Sequence, residues 1–419
     1  MFLTLWCWLL GGFASAHDVT FCVDVNVDYN FSSAGGDYWT DNAVHKAARG
    51  FHFELTQASP SVFRAGHLAE SDSDAGCITL TGLPFGTSYQ LRIFPSAEVS
   101  GNTILHDDAS EVVFGKITVN ANATKTFTIS YSDEAYQQLV AAAFAVHNHD
   151  LGTAATVTLH FCNTANCSYT YGAGNDIDLA HDADKYVIAH EVGHALMFQQ
   201  SEIDAIVCGC SEGCDGGDNI NRKWWAQAFK EGIAWWYAMI TWNAKAGGDC
   251  DWLNNQLLDF DLDQFDDYAA GEHLACWGDP DAIAPDHTDG EDWLADLFGH
   301  NGCTGTATNH TTEYDIVHYA WGLYAYGSDT INNNANDLTA DEVMDLLLAA
   351  DPSTWDPNQS TYVTSDDPWD RWDAAAASFG ANSRIYKAHS QQERSTIDFP
   401  PPLHRAGLSP RPRRPTRRR

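Results

Sequence analysis

Residues 187–196 read VIAHEVGHAL, an apolar run that carries two histidines and a glutamate. Imidazole and carboxylate are costly to bury unless something pairs with them. The stretch has no Pro and one Gly, Gly193, so helical geometry governs its reading. His190 and His194 are four positions apart, which sets them one above the other on a single helix face. Two neutral imidazoles so placed can ligate one metal ion, and zinc is the usual guest. Glu191 is turned by about 100° from His190, beside such an ion rather than on it. A chance H-E-x-x-H in a chain with 18 His among 419 residues, or a satisfied pair of core histidines, is the competing account. The flanks argue against both. Tyr186 to Ala189 and Ala195 to Met197 are mostly apolar, as a buried site helix requires. Asp182 and Asp184 just upstream suit the helix's positive end.

A catalytic zinc site takes a third protein ligand and leaves one position open. The candidate lies in FKEGIAWWYA, residues 229–238, where Glu231 sits in an otherwise aromatic and aliphatic helix pattern. A lone carboxylate there is expensive unless it meets a cation. On HEVGH and this second helix the chain resembles the gluzincin metallopeptidases. The Glu-Gly-apolar-Ala form of their aminopeptidase-like branch is matched by Glu231, Gly232, Ile233 and Ala234. The interval of 36 residues after His194 is longer than usual, and a Cys-rich loop fills it. Trp235 stands where the thermolysin-like pattern has an Asp that orients a zinc histidine, and Lys230 where the aminopeptidase pattern has Asn. The metzincin pattern is excluded, since Phe198, Gln199, Gln200 and Ser201 follow Met197 with no histidine.

The resemblance implies zinc held by His190, His194 and Glu231, and hydrolysis of a protein or peptide substrate by a metal-activated water. Glu191 would be the general base. The oxyanion of such a reaction needs a donor. The pattern EYDIVHYAW offers Tyr314 and His318 at i, i+4, against the plainer reading of an aromatic helix packed on a core. Tyr237, six residues beyond Glu231, is turned off the ligand face. The alternative function is a secreted binding or adhesion protein on a zinc-stabilised, peptidase-like scaffold. Glu191 separates the two, because a scaffold has no use for a base.

Outward from the motif, residues 17–130 alternate apolar and polar in short runs: VTFCVDVNV, GFHFEL, CITLTGL, YQLRIFP, EVVFGKITV and TKTFTISY. Turn residues separate them at the spacing of a β-sandwich. Gly82, Leu83, Gly86, Tyr89 and Leu91 resemble a motif of the prealbumin-like and carboxypeptidase-regulatory sandwiches. From about Ser132 the pattern changes. DEAYQQLVAAAFAVHNH predicts a helix, TVTLHF a strand, and the stretch from about Asp184 to Gln200 the motif helix. RKWWAQAFKEGIAWWYAMITWN, EYDIVHYAWGLYAYG, ADEVMDLLLAA and DRWDAAAASFG predict further helices. The expected fold is therefore α+β: an all-β sandwich over 17–130, then a zincin-like, mainly helical metallopeptidase domain over 131–398. Residues 399–419, rich in Pro and Arg, are expected to be disordered.

Composition fixes the compartment and the partners. Residues 1–16 are apolar and end in Ala14-Ser15-Ala16, the form of a signal peptide cleaved after Ala16, so a secreted or periplasmic protein is expected. Cys7 falls in that segment, leaving ten of 11 Cys, an even number that suits disulfides. Cys22 and Cys77 are the natural first pair, and Cys162 and Cys167 flank a tight loop. The six from Cys208 to Cys303 allow 15 pairings, and VCGCSEGC among them is open to a second metal. Of 22 basic residues, seven Arg lie in 399–419, so the body holds 22 − 7 = 15 against all 57 acidic ones. Such a body repels nucleic acid and anionic membranes. No other stretch has the apolar length of a membrane span. DFDLDQFDDY, 259–268, has the acidic density for Ca²⁺ but not the Gly and Glu of an EF-hand loop.

Overall fold

The computed structural model describes residues 16–27, 45–57, 61–130, 132–162, 169–170, 176–181, 183, 185–200, 223–242, 310–311, 320, 323–324, 338–350 and 368–397. The protein is a mixture of α and β. A first sheet is built around β1 (Ala16–Asn26), whose Val19, Phe21, Val23 and Val25 are buried in strict alternation, the period of a half-buried strand. β1 pairs in parallel with β10 (Ala123–Ile129) and antiparallel with β2 (His45–Ala47) and β5 (Cys77–Pro84). Cys22 and Cys77 are directly opposite across β1 and β5 and form the expected disulfide. Cys162 is disulfide-bonded as well.

The second sheet has nine strands. β3 (Phe51–Gln57) lies between β4 (Ser61–His67) and the long β6 (Ser88–Val99). β6 also takes β8 (Val112–Val113), β9 (Ile117–Thr118) and β7 (Asn102–His106). The sheet then continues beyond residue 131. β11 (Thr156–Phe161) runs parallel to β7, and β13 (Asp176–Leu179) parallel to β11, with β12 (Tyr169–Thr170) antiparallel at the edge. The inward side chains of both sheets and the helices below belong to one buried core.

This continuity alters the expected architecture. The segments 17–130 and 131–398, read from sequence as a sandwich and a separate domain, share a sheet through β7 and β11. Among the described residues the second part of the chain is not a separate helical body, since it adds β11, β12 and β13 to the second sheet. The physical reason lies in Val157, Leu159, Ile177 and Leu179, all fully buried. A parallel strand covered on its faces also needs a neighbour at each edge, and β7 supplies one.

Three helices complete the frame of the site. α1 (Glu134–Asn148) packs an Ala-rich face against β6 and β7, and Tyr136 donates its hydroxyl to the carbonyls of Ile93 and Ser110. α2 (Lys185–Gln200) holds the motif, and α3 (Trp225–Trp242) lies across it. Further along come α4 (Ala340–Ala349), α5 (Pro368–Ser378) and α6 (Arg384–Ile397), and β14 (Lys223–Trp224) pairs with β15 (His310–Thr311). No helix among the described residues is long and apolar enough to cross a membrane.

Candidate metal centre

α2 is buried from Ile188 to Met197, its two histidines and Glu191 included. Its contact with α3 depends on one small residue. A Cβ at Gly193 would stand 3.0 Å from the Tyr237 Cβ and 3.1 Å from its ring, so glycine lets the helices come this close without either having to shift. Tyr237 is itself fixed, donating its hydroxyl to the His149 carbonyl at 2.7 Å. His149 Nε2 in turn meets the Ile240 carbonyl at 3.0 Å, pinning the far end of α3 to the end of α1. Tyr237 thus directs its hydroxyl to the end of α1.

The close crossing brings Glu231 to the histidine pair. Its Oε2 lies 3.2 Å from His194 Nε2 and 3.3 Å from His190 Nε2, and the two ring nitrogens are 3.1 Å apart. Three donor atoms converge from two helices in a nearly equilateral triangle. Tetrahedral zinc, with bonds near 2.0–2.1 Å, spaces its ligand atoms by about 3.3–3.4 Å, so the set fits zinc by distance and by donor type. Charge fits too. Burial pushes His194 below the usual imidazole value, against the pull of Glu231. Burial alone would raise the Glu231 carboxyl, but the His194 and His190 imidazoles beside it hold it well below the usual carboxylate range. A neutral His194 and an ionised Glu231 are ligand forms that a divalent cation requires.

Glu191, 5 % exposed, is buried on the same helix and near enough to His194 to act on its charge. One contact at this site was not foreseen from the sequence. Trp235, in place of the thermolysin-like Asp, sets its ring 4.2 Å from that of His190, tilted by 47°. Its position four residues after Glu231, on the same helix face, was the available signal.

A second group of ligand-type residues, Asp107, Asp108 and His160, lies at the carboxyl ends of β7 and β11. There His160 Nδ1 meets Asp107 Oδ1 at 2.7 Å and the Phe161 amide donates to Asp108 at 2.6 Å. These groups satisfy one another at an exposed rim. Tyr314 and His318, the capping Asp182 and Asp184, the acidic run 259–268 and Cys208 to Cys303 lie outside the described residues. Comparison with protein-family models, curated proteins and solved structures returns no match.

Proposed function

We propose that the chain is a secreted zinc-dependent metallopeptidase of the gluzincin type, with His190, His194 and Glu231 as ligands and Glu191 as general base. The observation that carries the reading is the triangle of donor atoms, 3.1–3.3 Å on each side, assembled from two helices. A chance motif has no reason to meet a third ligand 37 positions away. When bound, zinc supplies Lewis acidity toward a substrate carbonyl and toward water. The work of the chain's own groups follows from their places. Glu191 takes a proton from the attacking water and delivers it to the leaving amine. Burial on α2 would place its carboxylate in a low-dielectric setting for that transfer. Tyr314 and His318 remain the proposed donors to the developing oxyanion.

The deciding experiment is Glu191→Gln. The amide keeps the size of the side chain and removes the basic oxygen, so fold and zinc content should be retained. Loss of a general base typically costs about 10²–10⁴-fold in rate. Peptide-library hydrolysis by this variant beside wild type, at matched zinc occupancy and with a chelator control, reads the outcome. Equal rates would remove Glu191 from the role. Zinc binding without hydrolysis by wild type across a broad library would favour the secreted binding or adhesion protein instead.

A further inference from the structure

The triplet Asn-x-Ser/Thr, with x other than Pro, is the acceptor pattern for N-linked oligosaccharide in an exported chain. It is headed here by Asn30, Asn122, Asn166, Asn309 and Asn358. A pattern this short arises readily without meaning, so geometry must decide, and of these asparagines Asn122 lies among the described residues. It stands in the exposed bend before β10, with Ala123 half-buried and Thr124 exposed again. Alternation along an extended chain sets the side chains of residues 122 and 124 on one side. The carboxamide is also oriented. The Asp18 amide donates to Asn122 Oδ1 at 3.0 Å, and His17 Nδ1 lies 3.1 Å from the same oxygen. Asp18 in turn accepts from the Gly82 amide at 3.0 Å. The start of β1 thus holds the oxygen end of the group. The nitrogen end, Nδ2, has no partner among the described residues.

We infer that Asn122 is an attachment site for an N-linked oligosaccharide. The inference rests on the export reading above and not on the zinc reading. The donor is a lipid-pyrophosphate-linked oligosaccharide of the secretory compartment. A bond forms between Nδ2 and C1 of the first sugar, the bond from C1 to the pyrophosphate oxygen breaks, Nδ2 gives up one proton, and the lipid pyrophosphate leaves. The Asn122 carbonyl oxygen is untouched by this step, so the Asp18 and His17 contacts hold equally with the sugar in place. Room is available as well. β10 is an edge of its sheet, paired with β1 among the described strands, and Lys125 and Thr126 beyond the triplet are exposed. The compartment agrees, since the Cys22–Cys77 disulfide ties β1 to β5 in the same sheet and such bonds persist where thiols are oxidised. The plainer role for Asn122 is to fasten the start of β1. Thr124 separates the two, because the contacts of the carboxamide do not involve it.

The test expresses the full chain in a eukaryotic secretory host, once with its own residues 1–16 and once with the leader of a well-exported protein placed before His17. Cell-retained and secreted material are both treated with peptide N-glycosidase in heavy-oxygen water, which converts a glycosylated Asn to a heavy-oxygen Asp. Trypsin then releases residues 117–125, which hold Asn122 together with Asn120, outside the triplet, as the control for spontaneous deamidation. Heavy Asp is expected at 122 and not at 120. Thr124→Ala should lose it although Asn122 is still present, and Thr124→Ser should keep it. Asn122→Gln should lose the glycan and run faster on a denaturing gel by one enzyme-sensitive step. Unmodified Asn122 under both leaders overturns the inference, as does a label in Thr124→Ala equal to wild type. Modification under the replacement leader but not under residues 1–16 supports the site and overturns the export reading. Secretion through residues 1–16 with Asn122 bare overturns the site and leaves export standing.

Discussion

Glu231 shows how much one side chain tells at the residue scale. Its carboxylate is only partly exposed and is held well below the usual range by the His194 and His190 imidazoles beside it. Such an arrangement makes sense around a cation. Glu231→Ala should therefore lose zinc or bind it far more weakly, as metal analysis after dialysis would register, and full retention would strike Glu231 from the ligand set. Buried histidines also set a pH dependence. His106 is 1 % exposed on β7, bonded through Nε2 to Gln138 at 3.2 Å, and burial lowers its pKa. His194 is shifted the same way. A base whose folded pKa is depressed binds its proton more readily in the unfolded chain, so stability is intact above the unfolded value near 6.5 and falls as pH drops below it. The metal-free protein should melt progressively lower from pH 7 toward pH 5, and His106→Gln should flatten that slope. An unchanged slope would mean that His106 titrates alike in both states. The grouping of His190, His194 and Glu231 was legible in the sequence because each is a polar group in an apolar helix with a fixed angular position. The contact of Trp235 with His190 was not, because an aromatic residue in a buried helix reads as core until its neighbour is known.

At the scale of elements, legibility follows length and period. β1 and β3 alternate cleanly and α1, α2 and α3 run for four turns or more, so their patterns average over many residues. β7, Asn-Thr-Ile-Leu-His, is five residues long, too short for a pattern to emerge, and β4 is broken by a Gly. Yet β7 is the strand that joins the two halves of the sheet. The crossing of α2 and α3 was equally hidden, since Gly193 inside a helix signals only a weak position. Its role appears once Tyr237 is opposite. Gly193→Ala improves helix propensity by about 1 kcal/mol, but it sets a methyl group 3.0 Å from the Tyr237 Cβ, an atom anchored to its backbone. Overpacking of this kind costs about 1–3 kcal/mol and forces the helices apart. We expect a net loss of stability together with weaker zinc binding, measured by denaturant titration and chelator competition on the same variant. A stabilised protein with unchanged affinity would show that the helices are less tightly engaged than their geometry indicates.

For the whole molecule, the question is whether residues 131–398 stand alone, as their change of sequence pattern at about Ser132 invites one to suppose. The hydrogen bonding says that they do not. β11 has β13 on one side, and on the other it has β7, in register from Thr103–Thr156 to His106–Leu159. Asn102 accepts from the Ala155 amide at 2.7 Å, Gln138 of α1 meets His106, and Tyr136 bonds two carbonyls of the first segment. Ring contact between Phe51 and Tyr136 carries the core across as well. Without 17–130, β11 would present a bare parallel edge of buried residues, the kind that recruits another chain, and α1 would lose the sheet it covers. Both α1 and α3 bear on the site, since His149 at the end of α1 anchors Tyr237. A fragment of residues 131–398 is therefore expected to aggregate or remain partly folded, and to bind zinc far more weakly than the whole chain. Size-exclusion chromatography, circular dichroism and chelator competition on the fragment provide the measurement. A monodisperse fragment that melts cooperatively and binds zinc like the whole protein would show that the site is self-sufficient and that the shared sheet is an accessory. The expected failure would mean instead that the first segment stays with the metal centre in the working protein, because the sheet that carries α2 begins there.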